Sequence, residues 1–222
     1  MSKKRSALIS ALIAFLLLTA YMLTSCGEST PQAVFSYKPE MHIIAQTSLA
    51  ECVDDADIII RCRVIDIGAP YLLDGYTLPE VKQVKDFNDE TTQADLKANI
   101  IGIRTPVTLD IMRTYKGAEH LDGVEFPIDE LYGNYRGFEL LDSDMTEHLI
   151  ADNEYLMFIK YTDGVPRVQY QQTLWVNPED ESDYMSLLSN YAIYSPYFDI
   201  SEICANIEAH RNGQAIPLGM EE

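Results

Sequence analysis

Three observations predict a mainly β fold with a short helix ahead of the first long strand and helices at the C-terminus. Between residues 57 and 176, apolar and polar residues alternate in several short runs punctuated by Gly and Pro. The strongest of these runs are rich in β-branched residues, which suit a pleated surface. After Asn177-Pro178 the spacing of apolar residues changes from two to the three-or-four of a helix.

The elements follow in order. Ser48-Leu49-Ala50-Glu51 has the Ser-x-x-Glu form of a capping box and opens a short helix running to about Asp55. Asp57 to Ile67 is a strand in which Ile58, Ile60, Cys62 and Val64 point one way and Arg61 and Arg63 the other. Gly68 and Pro70 end it. Residues 71–98 lack apolar rhythm and carry many charges. They are expected to be a long mobile loop with a helical turn, protruding from the domain at the place where a partner is read.

From Asn99 to Tyr115 the strand pattern returns, with Val107, Leu109 and Ile111 alternating with polar neighbours and Gly102 and Pro106 marking a bend. Lys116-Gly117 starts a turn, and Val124, Phe126 and Ile128 form another strand. Residues 129–152 read as loop. Glu154 to Tyr161 is apolar on both faces, Asp163-Gly164 marks a hairpin turn, and Val165–Gln171 and Thr173–Val176 complete the β pattern. The acidic run Glu179–Asp183 is placed to start a helix carrying Tyr184, Leu187, Leu188 and Tyr191, broken at Ser195-Pro196. A last helix carries Ile200, Ile203, Cys204 and Ile207 on one face and ends at Gly213. The expected core comprises Val107, Leu109, Ile111, Leu156 and Phe158 with Ile58, Ile60 and Val64.

The N-terminus has the layout of a secretory signal. Lys3, Lys4 and Arg5 precede an almost unbroken apolar stretch from Ala7 to Leu23. That stretch is short for a spanning helix, which needs about 20 apolar residues. Its end, Leu23-Thr24-Ser25-Cys26, resembles the lipobox of bacterial lipoprotein signal peptides. The resemblance implies that residues 1–25 are removed and that Cys26 becomes a diacylglyceryl cysteine carrying long acyl chains such as palmitate. Each buried CH₂ contributes about 0.8 kcal/mol, so two such chains hold a protein durably on a membrane. Residues 26–42, polar and aperiodic, are then a spacer.

Composition sets further bounds. The chain of 222 residues carries 35 acidic and 16 basic side chains, a net charge of −19. Such a chain repels nucleic acid, which is excluded as a partner. Of its four cysteines, Cys26 belongs to the lipobox-like run, leaving Cys52, Cys62 and Cys204, each on an apolar face. They are expected to be buried thiols, with a Cys52–Cys204 bridge as the alternative.

No P-loop, Gly-rich dinucleotide fingerprint, zinc-spaced Cys/His cluster or G-x-S-x-G motif is present, so no cofactor, no metal ligand and no catalytic residue is assigned. The densest ligand-like cluster is Asp142-Ser143-Asp144 with Glu147 and His148, which lacks the order of a calcium loop and is equally explained as a helix cap. The histidines His42, His120, His148 and His210 are scattered. Tyr132, Tyr135, Tyr170, Tyr184, Tyr191, Tyr194 and Tyr197, with Trp175, crowd the second half. They read chiefly as packing, with a binding surface as the alternative.

One resemblance concerns the fold. A short helix followed by Ala56-Asp57-Ile58-Ile59-Ile60-Arg61-Cys62-Arg63-Val64, a later strand closing on Tyr115-Lys116-Gly117, and Glu154-Tyr155-Leu156-Met157-Phe158-Ile159 together resemble the netrin-like, or metalloproteinase-inhibitor-like, barrel. The likeness spans about residues 47–162. It implies an OB-like small closed β-barrel of five strands over residues 43–176, followed by helices over 177–222. The inhibitors of that family chelate a protease zinc through a free N-terminal cysteine, whereas Cys26 here lies in the lipobox-like run and is separated from the domain by the spacer. The function expected is a lipid-anchored extracytoplasmic binding or interaction module with a protein or small-ligand partner, the competing reading being a metal-dependent or hydrolytic cell-envelope enzyme.

Overall fold

In the computed structural model the described residues are 35–38, 47–78, 90–121, 123–141, 148–187 and 191–217. Cys26, the leader, most of the spacer, His42, Asp142, Ser143, Asp144 and Glu147 lie outside them. Among the described residues the fold is mainly β, with two sheets and three α-helices.

Strand β2 (Ile58–Ile67) is the centre of the larger sheet. It pairs antiparallel with β4 (Ile103–Lys116) on one side and β8 (Glu154–Thr162) on the other. Beyond β4 lies β5 (Glu125–Glu130), and β3 (Tyr71–Leu72) pairs with the start of β4. Beyond β8 lie β9 (Val165–Val168), then β10 (Leu174–Val176) and β11 (Tyr184–Ser186). The β8–β9 turn is the Asp163-Gly164 pair, both with positive φ, as a tight hairpin requires. After β4, Gly117 takes φ +78°, and a Cβ there would run into the Asp57 carbonyl. The turn expected at Lys116-Gly117 therefore depends on glycine.

Both faces of the first half of β2 and of most of β8 are buried. Ile58, Ile60, Cys62 and Val64 join Tyr155, Met157 and Ile159, Val107, Leu109, Phe126 and Ile128 in an inner core. Ile59, Leu156 and Phe158 face the other way, into a second core capped by α1 (Leu49–Asp55) and α3 (Ile200–Arg211). Of the expected core, Ile111 alone is only partly buried, packed at the margin of the inner core. Both helices start alike. Ser48 and Asp199 accept from the amides of Glu51 and Glu202. Those two carboxylates reach back one residue beyond the cap, to the amides of Thr47 and Phe198.

The closed barrel is not found. β5 and β9 lean together across the inner core, but no ladder joins them, so the sheet stays open. Each edge carries a proline, Pro127 and Pro166, with no N–H to donate to a closing ladder.

Four local expectations are also corrected. The spacer contains a strand, β1 (Phe35–Tyr37), which pairs in parallel with β7 (Phe138–Leu140). With β6 (Gly133–Tyr135) these form the second sheet, inside the segment expected to be loop. Within the expected loop 71–98 lie β3 and α2 (Glu90–Ile100), whose Leu96 and Ile100 are fully buried in a third core with Ile103, Phe138 and Leu140. Finally, the acidic run before Tyr184 starts no helix. The Asn177 amide donates to the Asp183 carbonyl and its side chain to the Asp183 carboxylate, closing a turn that returns the chain as β11. Tyr184 and Ser186 alternate inward on that strand.

Candidate functional site

Arg61 and Arg63 take outward positions of β2 in a largely apolar strand, so their guanidinium groups need acidic partners. Glu154, directly opposite Arg63 at the start of β8 and 3% exposed, accepts from Arg63 at 2.7 Å and from Arg61 at 3.3 Å. Arg61 Nη1 also donates to Glu181 at 2.6 Å, from the turn before β11. Glu181 accepts from the Ser201 hydroxyl at 2.8 Å, and its carbonyl accepts from the Ile200 amide. A single carboxylate-bearing turn thus ties the central strand to the start of α3.

On the neighbouring strand Arg113 stands directly opposite Arg61. Two like charges at paired positions repel. Each guanidinium is drawn to its own acid, Arg113 to Glu208 on α3 at 2.7 Å, and a cleft of about 210 Å³ lies among them. Tyr115 and Cys204 complete its wall, and the Arg113 guanidinium sits 5.1 Å above the Tyr115 ring.

The electrostatics fix the charge states. Burial works against the charge on Arg61, but Glu181 and Glu154 more than offset it and hold the guanidinium more basic than usual. Glu181 is held below the ordinary carboxylate range by hydrogen bonds from Arg61 and Ser201. The Tyr115 phenol and Cys204 thiol face each other, and burial pushes both up. Neither is a poised nucleophile or base. The cleft offers fixed donors and acceptors, suited to holding a polar group.

The remaining sequence-derived positions are not brought together. His148 is exposed and stacks on Tyr132 at 4.2 Å. His120 lies 5.4 Å from the Tyr161 ring, and His210 contacts Asp54 at 2.9 Å. Among the described residues no three His, Cys, Asp or Glu side chains are grouped to hold a metal ion. Tyr184, Tyr194 and Tyr197 are core residues whose hydroxyls donate to the carbonyls of Tyr197, Gln172 and Pro217. Tyr135, Tyr170 and Trp175 are partly buried against the other cores, and the Tyr191 side chain lies outside the described residues. Cys52, Cys62 and Cys204 are free and buried, without the Cys52–Cys204 bridge.

Sequence reasoning placed Arg61 and Arg63 on the outward face but did not find Arg113, Glu154, Glu181 or Glu208 as their partners. The available signal was the Arg-x-Arg pair within a β-branched strand. No protein-family model matches this chain, and no curated protein matches it.

Proposed function

We propose that this chain is a lipid-anchored, extracytoplasmic binding module. Cys26 would hold it at the membrane, and the cleft beside α3 would take a small polar ligand or a charged side chain of a protein partner. The anchor rests on one observation, the run Leu23-Thr24-Ser25-Cys26 behind a basic and then apolar leader. The binding role is supported by the cleft itself, where opposed arginines are preorganised by Glu154, Glu181 and Glu208.

The test is fractionation of cells carrying wild-type protein or Cys26→Ala. The variant should leave the membrane fraction or accumulate unprocessed, and normal processing with normal retention overturns the anchor. Crosslinking in intact membranes should capture a partner with wild-type protein and lose it with Arg113→Ala. Capture undiminished by that substitution overturns the cleft as the recognition surface.

A further inference from the structure

A second charged cluster, independent of the cleft, lies where β5 and β9 lean together. Arg104 on β4 is 6% exposed, and its Nη1 donates to the carbonyls of Ile101 at 2.5 Å and Ile103 at 2.8 Å. Tyr71 is its direct partner on β3. Asp129 on β5 pairs with Pro106, two residues along β4 from Arg104. Side chains two apart on a strand share a face, so Tyr71, Arg104 and Asp129 stand on one side of the sheet. The Tyr71 phenol, raised by burial and then by Asp129, faces that carboxylate.

Arg167, on β9, brings a second guanidinium. Its Nη1 is buried and has no hydrogen-bond partner among the described residues. Burial, and next the charge of Arg167, hold Arg104 less basic than usual. The two guanidinium groups therefore bear on each other, while Asp129, the carboxylate beside Arg104, is already faced by a phenol. The imbalance stands out in a chain with more than twice as many acids as bases. Arg61, Arg63 and Arg113, by contrast, each hold an acid directly. A buried cationic N–H left without an acceptor is strongly unfavourable, and an oxyanion supplies both the acceptor and the missing charge.

We propose that Arg104 and Arg167 form the binding site of a small oxyanion, a carboxylate or phosphate group, at the seam between β5 and β9. The planar fork of each guanidinium suits two oxygens of one such group, which a lysine would not reproduce.

Calorimetry tests this on the full-length protein in detergent and Tris chloride, titrated separately with inorganic phosphate and with acetate. Wild-type protein should bind at least one of them and melt at a higher temperature in its presence. The titration that gives heat identifies phosphate or carboxylate as the preferred chemistry. Arg167→Gln should weaken binding at least tenfold, Arg167→Lys should fall between, and Arg211→Gln, at the exposed end of α3, should leave it unchanged. Absence of binding by wild-type protein overturns the proposal whatever the variants do. So does binding that Arg167→Gln and Arg167→Lys leave intact, which marks an adventitious ion only, or a seam satisfied by water.

Discussion

Arg61 and Glu181 meet at 2.6 Å although 120 residues separate them, and their contact joins the central strand to the turn that feeds α3. Glu181 is half exposed, whereas Glu154, the other acceptor for Arg61, is almost fully buried. The two acids therefore differ in what their loss costs.

Glu154→Ala should destabilise the protein by about 2–3 kcal/mol, because it strips two arginines of a buried charged acceptor. Glu181→Ala should cost less, about 1 kcal/mol or below, since water can replace it. Urea unfolding of both variants checks the order. Equal losses would mean that burial does not govern this network.

Acid should loosen the same contact. Glu181 has a depressed folded-state pKa, set first by its hydrogen bond from Arg61. A depressed carboxylate contributes stability that is present above its unfolded value and disappears as pH falls through its folded value. Stability should therefore decline as pH drops below about 4.5, the ordinary glutamate value. Glu181→Gln should flatten that part of the curve, and a pH series of melting temperatures would show it.

The buried thiols should be silent in the native protein. Burial pushes Cys52 up to about 12, and it raises Cys62 and Cys204 as well. A thiol reagent at pH 8 should leave Cys52, Cys62 and Cys204 almost untouched until denaturant is added. Three thiols should then react if Cys26 carries lipid, and four if it does not.

Phe158→Ala, on the helix-covered face of β8, should cost about 3–5 kcal/mol. Leu96→Ala should cost about 2–5 kcal/mol by opening the core beneath α2. A loss below about 1 kcal/mol at Leu96 in denaturant unfolding would return that segment to the status of a dispensable loop.

The legible parts of the fold were those with long, repeated signals. β2 and β8 are ten and nine residues long, and their alternation places Ile58, Ile60, Leu156 and Phe158 without tertiary information. The caps at Ser48 and Asp199 are local chemistry, although only the first was anticipated. β1, β6, β7 and β11 are three residues each, too short for a period to emerge. Tyr184, Leu187 and Tyr191 fall at helical spacing by coincidence, and pairing of Tyr184–Ser186 with β10 overrides it. In α2 the buried contact rests on Leu96 and Ile100 in a mostly polar helix, which conceals its packed side. Barrel closure and the cleft depend on which distant strands meet. Arg61 and Arg113 become neighbours only through the β2–β4 register.

The central position of β2 has a consequence for the order in which the sheet forms. Both strands that flank it come later in the chain, and Arg63 must wait for Glu154, 91 residues downstream. Until β8 joins, the two apolar faces of Ile58–Ile60 lack their neighbours on that side. β4 and β5 can add to β2 in chain order, but the sheet on the other side of β2 cannot be completed. It awaits β8, whose hairpin with β9 is local, and β2 is then captured between partners that were both made after it.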